Sequence, residues 1–231
     1  MFSEALGATG TFLLDVVYPR RCAGCGARGT WLCGRCDASL ASFAAPLCAS
    51  CGIPESLGVC RCDELPAAIE RVRSIGPYGG WLRGAVVQVK YHGEWARATQ
   101  LAPLLAHACA DLATVDALVP VPLHPSRRKQ RGFNQTEKLA EELSREMAVP
   151  VEIVLQRTRK TTPQVRLDAE GRHANVEDAF ALSPGKSVTG RRLLLVDDVI
   201  TTGATLGACA QVLHAAGASS VCVVTVAREL M

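Results

Sequence analysis

The stretch Leu193-Leu194-Leu195-Val196-Asp197-Asp198-Val199-Ile200-Thr201-Thr202-Gly203-Ala204-Thr205 decides the fold of this chain. Its first four residues are apolar, as in a strand buried on both faces. Two carboxylates stand at the carboxyl end of that strand. A hydroxyl-rich turn follows, and Leu206, Cys209 and Leu213 then recur at helical spacing. A strand–turn–helix unit of this kind predicts an α/β sheet, in which ligands bind just past the carboxyl ends of the strands. The turn sets backbone N–H groups and the Thr201, Thr202 and Thr205 hydroxyls at a helix N-terminus, a setting that favours an anion. The acids repel phosphate. They suit the hydroxyls of a sugar, or a metal bridging sugar and phosphate, and a diol beside a phosphate describes a ribose 5-phosphate. The competing reading, a buried strand with an acidic helix cap, requires strand, acid pair and turn to coincide by chance.

Outward from this unit the chain alternates. Strands are predicted over 72–78, 117–121, 151–156, 176–182, 192–196 and 221–226, and helices over 81–91, 95–112, 134–147 and 205–216. Gly217 is placed to end the last helix. Alternation argues for a mainly parallel sheet flanked by helices. Residues 157–175 are polar and irregular, with room for one short helix. Their length and their cations (Arg157, Arg159, Lys160, Arg166 and Arg172) suit a lid over an active site, or else a plain surface loop.

The first quarter of the chain is different. Eight of the eleven cysteines fall between Cys22 and Cys62, as Cys22-x2-Cys25, Cys33-x2-Cys36, Cys48-x2-Cys51 and Cys60-x-Cys62. Pairs so spaced aim two thiolates at one point and clamp a metal. Disulfides are the alternative and need an oxidising compartment. Residues 11–17 are briefly apolar, but Asp15 interrupts them and no basic segment precedes them, so they read as a short amphipathic helix rather than an export signal. The expectation is structural zinc in a cytoplasmic protein. Sequential pairing gives Cys22, Cys25, Cys33 and Cys36 for one ion, and Cys48, Cys51, Cys60 and Cys62 for the other. The tight Cys60-x-Cys62 pair leaves the second site open to distortion. A segment this small needs the metal to fold. Cys109, Cys209 and Cys222 lie on apolar faces and read as core. Pro66 marks a boundary, dividing an N-terminal helix and double ribbon (1–66) from the α/β domain (67–231).

Composition narrows the function. Net charge is only +3, so bulk charge does not argue for nucleic acid. No stretch is long enough to span a membrane. Gly24-Cys25-Gly26-Ala27-Arg28-Gly29 matches a dinucleotide fingerprint only in its letters, because no strand precedes it and a metal ligand lies inside it. One local patch stands out. After Val119-Pro120-Val121-Pro122-Leu123-His124 come Arg127, Arg128, Lys129 and Arg131, and then Gly132-Phe133-Asn134-Gln135 opens a helix. Such a loop would hold a polyanion, contact a nucleic-acid backbone, or simply be a solvated basic surface. Lys90-Tyr91-His92-Gly93 could approach the same cleft. His92 and His124 are candidates for proton transfer, against the commoner role of a lone histidine in packing or at the surface.

The 193–205 stretch resembles the PRPP-binding motif of type I phosphoribosyltransferases, with every position filled. The resemblance implies that Asp197 and Asp198 contact the ribose hydroxyls as the catalytic pair. It implies that Val199, Ile200, Thr201, Thr202, Gly203, Ala204 and Thr205 bind PRPP, the loop from Thr201 holding the 5-phosphate. Arg127, Arg128 and Arg131 then correspond to the pyrophosphate loop, and magnesium accompanies PRPP. Together with the double cysteine ribbon, the Lys90-Tyr91-His92-Gly93 string, Arg131-Gly132-Phe133-Asn134-Gln135, and Arg157 with Thr162, Gln164, Arg172 and Asn175, the chain resembles the ComF family of competence-associated proteins. That resemblance implies two functions to weigh. One is a phosphoribosyltransferase with an unknown nitrogenous acceptor, chosen by the ribbon or the 72–91 region. The other is a PRPP-binding or single-stranded-DNA-handling component of DNA uptake, working with competence proteins. Low aromatic content speaks against base stacking as the main grip on DNA.

Overall fold

The computed structural model describes residues 20–92, 95–112, 114–158 and 179–230. The expected helix at 11–17 and most of the expected lid lie outside them. Strand β1 (Arg71–Pro77) is followed by helices α2 (Gly80–His92) and α3 (Ala98–Ala108), with α1 (Gly34–Ala38) preceding it in the ribbon. Then come β2 (Ala117–Pro120), α4 (Pro125–Arg131), α5 (Gln135–Met147), β3 (Leu155–Arg157), β4 (Phe180–Leu182), β5 (Arg192–Ile200), α6 (Ala204–Ala215) and β6 (Ser220–Arg228). Four strands form a parallel sheet in the order β1-β6-β5-β2, and β3 pairs antiparallel with β4.

The apolar run in β5 is unbroken because helices cover both faces of the sheet. Successive side chains alternate between the faces. Leu194 and Val196 join one cluster with Leu82, Val86, Leu101, Leu139 and Leu143 from α2, α3 and α5. Leu193 and Leu195 join the other, with Leu206, Cys209 and Leu213 of α6 and Phe180 of β4. Cys109, Cys209 and Cys222 are buried in these clusters, as their apolar settings predict.

Several elements differ from the sequence expectation. β5 runs on through both acids to Ile200. The 151–156 segment is not one strand: Val151 makes a single bridge to Leu118, and β3 begins only at Leu155. Residues 125–131, read as a loop, form helix α4. The His124 side chain caps it, Pro125 occupies its first turn, and Gly132 ends it at φ 80°. In α5 the Asn134 side chain accepts from the Thr136 N–H, and Leu139, Ala140 and Leu143 line its buried face.

The ribbon is fastened to the edge of the sheet. β1 has β6 on one side only, and on its other side the ribbon backbone continues the bonding. Phe43 N–H donates to the Ile75 carbonyl and Val72 N–H to the Ser50 carbonyl, each at 2.8 Å. A side chain at Gly76 would stand 2.0 Å from the Ala41 carbonyl oxygen, so only glycine permits that approach. Three fully buried arginines of the α/β domain bond ribbon carbonyls. Arg73 reaches Cys48 and Ala49 at 3.4 and 3.1 Å, Arg97 reaches Arg21 at 2.7 Å, and Arg228 reaches Cys51 at 2.5 Å. Asp111 also pairs with Arg73 at 2.5 Å, and the Arg97 guanidinium lies 4.3 Å over the Trp31 ring. Among the described residues no helix is long and apolar enough to cross a membrane.

Candidate functional site

The carboxyl ends of β2 and β5 open into a cleft of about 900 Å³. Asp197, Asp198, Glu229, Lys90, Arg127, Arg131 and Arg157 supply its charge. Strand alternation separates the two acids. Asp198 points toward α2 and α5, where Lys90 Nζ stands 2.7 Å from Oδ1 and Gln135 Nε2 donates to Oδ2 at 3.0 Å. Asp197 projects to the opposite face and accepts the Asp198 backbone N–H at 2.8 Å. Burial and the neighbouring Asp198 charge push the Asp197 carboxyl up to about 7, against the pull of Lys90, that N–H and Arg157. Attraction to Asp198 outweighs burial at Lys90 and raises its pKa, so the ammonium stays charged.

The turn after β5 has the form its sequence predicts. Gly203 takes φ 74°, a left-handed conformation that favours glycine. The Ala204 N–H donates to Thr202 Oγ1 at 3.4 Å, and α6 starts there. Thr201, Gly203, Ala204 and Thr205 line the cleft, as do Val199 and Ile200. Thr202 is turned to its capping role and is not among the lining residues. Pro66, four residues past the last cysteine of the ribbon, packs behind this turn. It stands 3.2 Å from where a Gly203 Cβ would be.

The basic segment divides. Arg127 and Arg131 line the cleft, whereas Arg128 pairs with Glu137 at 3.0 Å on the outer side of α4. The next residues lock the segment to the sheet: Asn134 Nδ2 and Thr136 Oγ1 both donate to the Val121 carbonyl, at 3.2 and 2.6 Å. This anchoring carries Gln135 to Asp198, a role the sequence does not disclose. Arg131 lies over the exposed Tyr91 ring at 5.2 Å. His124 Nδ1 faces the Ser126 hydroxyl at 2.8 Å and serves as the α4 cap. The side chain of His92 and residues 159–178 lie outside the description.

The cysteines gather as sequential pairing predicts. Cys22, Cys25, Cys33 and Cys36 form one tetrad and Cys48, Cys51, Cys60 and Cys62 the other, with all sulfurs of each within 4.8 Å of one another. Five of these separations lie between 3.2 Å (Cys60–Cys62) and 3.9 Å (Cys51–Cys60). A disulfide would need about 2.05 Å. Zinc at about 2.3 Å from each of four thiolates sets them roughly 3.8 Å apart, so both tetrads fit it, including the tight Cys60-x-Cys62 pair. Four protein ligands close each site to water, which makes the zincs structural. The Cys51 backbone amide leads in drawing the Cys48 thiol down to about 6, ready for the metal-bound form. Among the described residues these tetrads are the only groups of three or more side chains placed to hold a metal.

A parallel sheet with an acid pair and an anion turn at one strand end, tied to two cysteine tetrads, defines a phosphoribosyltransferase-type domain behind a double zinc ribbon. The Double zinc ribbon domain family matches residues 13–67 and the Phosphoribosyl transferase domain family residues 136–230. The chain is 32% identical to Competence protein F of Haemophilus influenzae, over 85% of this chain and 90% of that one. It is 34% identical to the DNA utilization protein YhgH of Escherichia coli K12, covering 80% and 85%. Competence protein ComFC of Bacillus subtilis is 28% identical, covering 86% and 84%. The chain belongs to the ComF family of competence proteins.

Proposed function

We propose that the cleft binds PRPP and transfers its phosphoribose to a nitrogenous acceptor, in the cytoplasm and in the service of DNA uptake. The carrying observation is that Asp197, Asp198 and the turn residues Thr201, Gly203, Ala204 and Thr205 line one cleft with Arg127 and Arg131. Ribose hydroxyls would be held by the acids, the 5-phosphate by the turn, and the departing pyrophosphate by the arginines. Loss of pyrophosphate leaves an oxocarbenium-like sugar that a nitrogen nucleophile attacks, and no protein nucleophile is required. Magnesium would accompany PRPP, because it characteristically binds through substrate phosphates and one or two carboxylates such as Asp197 and Asp198. Calorimetric titration of Mg-PRPP should show binding that Asp197→Asn with Asp198→Asn abolishes while the fold persists. Retained affinity in that variant would sink the assignment. A pyrophosphate-release screen across bases and amines would then identify the acceptor.

A second reading rests on the names of the relatives, competence and DNA utilization proteins, and on the cations of α4 beside exposed Tyr91. In it the cleft binds PRPP without turnover and the chain handles single-stranded DNA. PRPP binding without pyrophosphate release for any acceptor, together with DNA affinity falling steeply with salt, would select this reading.

A further inference from the structure

Lys90 is the cleft residue whose chemistry the motif leaves unassigned. It comes from α2, outside the stretch that carries the acids, and its side chain is 24% exposed. Asp198 is 6% exposed, and each of its oxygens has a donor: Lys90 on one, Gln135 on the other. An ammonium group has three N–H donors, of which Asp198 takes one. The next residue, Tyr91, lies under Arg131. Lys90 thus joins, in one cleft, the acids that would face the ribose and the arginines that would face the pyrophosphate. A cation so placed meets the bond between C1 and the leaving group, where negative charge grows as that bond breaks.

We propose that Lys90 binds PRPP directly, at the junction of ribose and pyrophosphate, and that Asp198 and Gln135 hold its ammonium there. The acid pair is then unequal. Asp197 offers its carboxylate to the sugar alone, whereas Asp198 divides its oxygens between the ribose and the cation it anchors. This rests on the PRPP reading above. If the wild-type protein fails to bind Mg-PRPP, that reading fails first. If it binds, the Lys90 variants decide the present inference.

The test compares Mg-PRPP with ribose 5-phosphate, which has the diol and the phosphate but no leaving group. Affinities of wild type, Lys90→Met and Lys90→Arg would be measured by calorimetry, or by ligand-observed NMR for the weaker ligand. Lys90→Met should lose about tenfold or more for PRPP, the scale of a hydrogen bond to a charged group. It should change by less than about threefold for ribose 5-phosphate, and Lys90→Arg should restore most of the PRPP affinity. Equal losses for both ligands would mean that Lys90 acts only by setting Asp198, and no loss would mean that it does not act on PRPP; either result overturns the proposal. Should Lys90→Met not fold, the wild-type protein still decides the matter. Mg-PRPP, but not ribose 5-phosphate, should slow acetylation of Lys90 relative to Lys138 by mass spectrometry. An unchanged Lys90 rate overturns the proposal.

Discussion

Among the described residues of the ribbon, the buried apolar side chains are Cys22, Cys36, Cys51, Ile53 and Pro54, and three of these are metal ligands. From Ile69 onward, two clusters of aliphatic side chains fill both faces of a sheet. The α/β domain holds itself together by burial, while the ribbon depends on thiolate–metal bonds and on its neighbour. Arg73, Arg97 and Arg228 all belong to the α/β domain, all are buried, and all spend donors on ribbon carbonyls. Four thiolates on one zinc ion leave a net negative centre, and cations placed against the knuckle backbones offset it. The dependence runs both ways, because loss of the ribbon takes away the carbonyls these arginines bond and bares the β1 edge that its backbone covers.

Stripping zinc should break the comparison most visibly. Were the two parts independent, calorimetry of chelated protein would show the α/β transition unmoved. The shared edge of β1 and the buried arginines predict instead that this transition falls by about 10 °C or more, from the loss of several kcal/mol at a few degrees per kcal/mol. PRPP affinity should weaken with it, since Pro66 braces the turn at Gly203. Next in size is Arg73→Met, which leaves the Cys48 and Ala49 carbonyls without that donor and takes from Asp111 its ion-pair partner. Urea unfolding should register a loss of about 2–3 kcal/mol, the scale of leaving buried carbonyls without a donor; a loss below about 1 kcal/mol would show that the ribbon is only loosely attached.

A pH-dependent effect sharpens the comparison from the side of the sheet, where β5 meets the cleft. The Asp197 carboxyl is raised to about 7. Its contribution is therefore intact below the unfolded value near 4 and is lost as pH rises through about 7. Asp197→Asn should melt with the wild type near pH 4 and above it by a margin that grows up to about pH 7 and then levels off. A margin independent of pH would mean that the carboxyl is not perturbed.

Much of this was legible before folding. The 193–205 stretch announces strand, turn and helix because its apolar run, acids and hydroxyls each demand a distinct local environment. Cysteine spacing gave the tetrads because thiolate pairs close over few residues. Helix α4 escaped notice because four cations in seven residues look like a solvated loop, although Pro125 and Gly132 mark its two ends. The inequality of Asp197 and Asp198 follows from strand alternation once both faces are known, but the partners on those faces come from distant segments. Nor does a buried arginine differ in sequence from a half-buried one: Arg73 and Arg71 lie two residues apart on β1, and only the fold gives the first to the ribbon.

The cover over β1 has one more consequence. A strand edge left bare is a template on which other chains can add. With its zinc in place, this protein hides that edge under its own backbone. A cell starved of zinc would make chains that expose it, and these would be drawn toward aggregation and proteolysis before any question of catalysis arose. Metal supply would then set how much of this protein a cell keeps, independently of how much it makes.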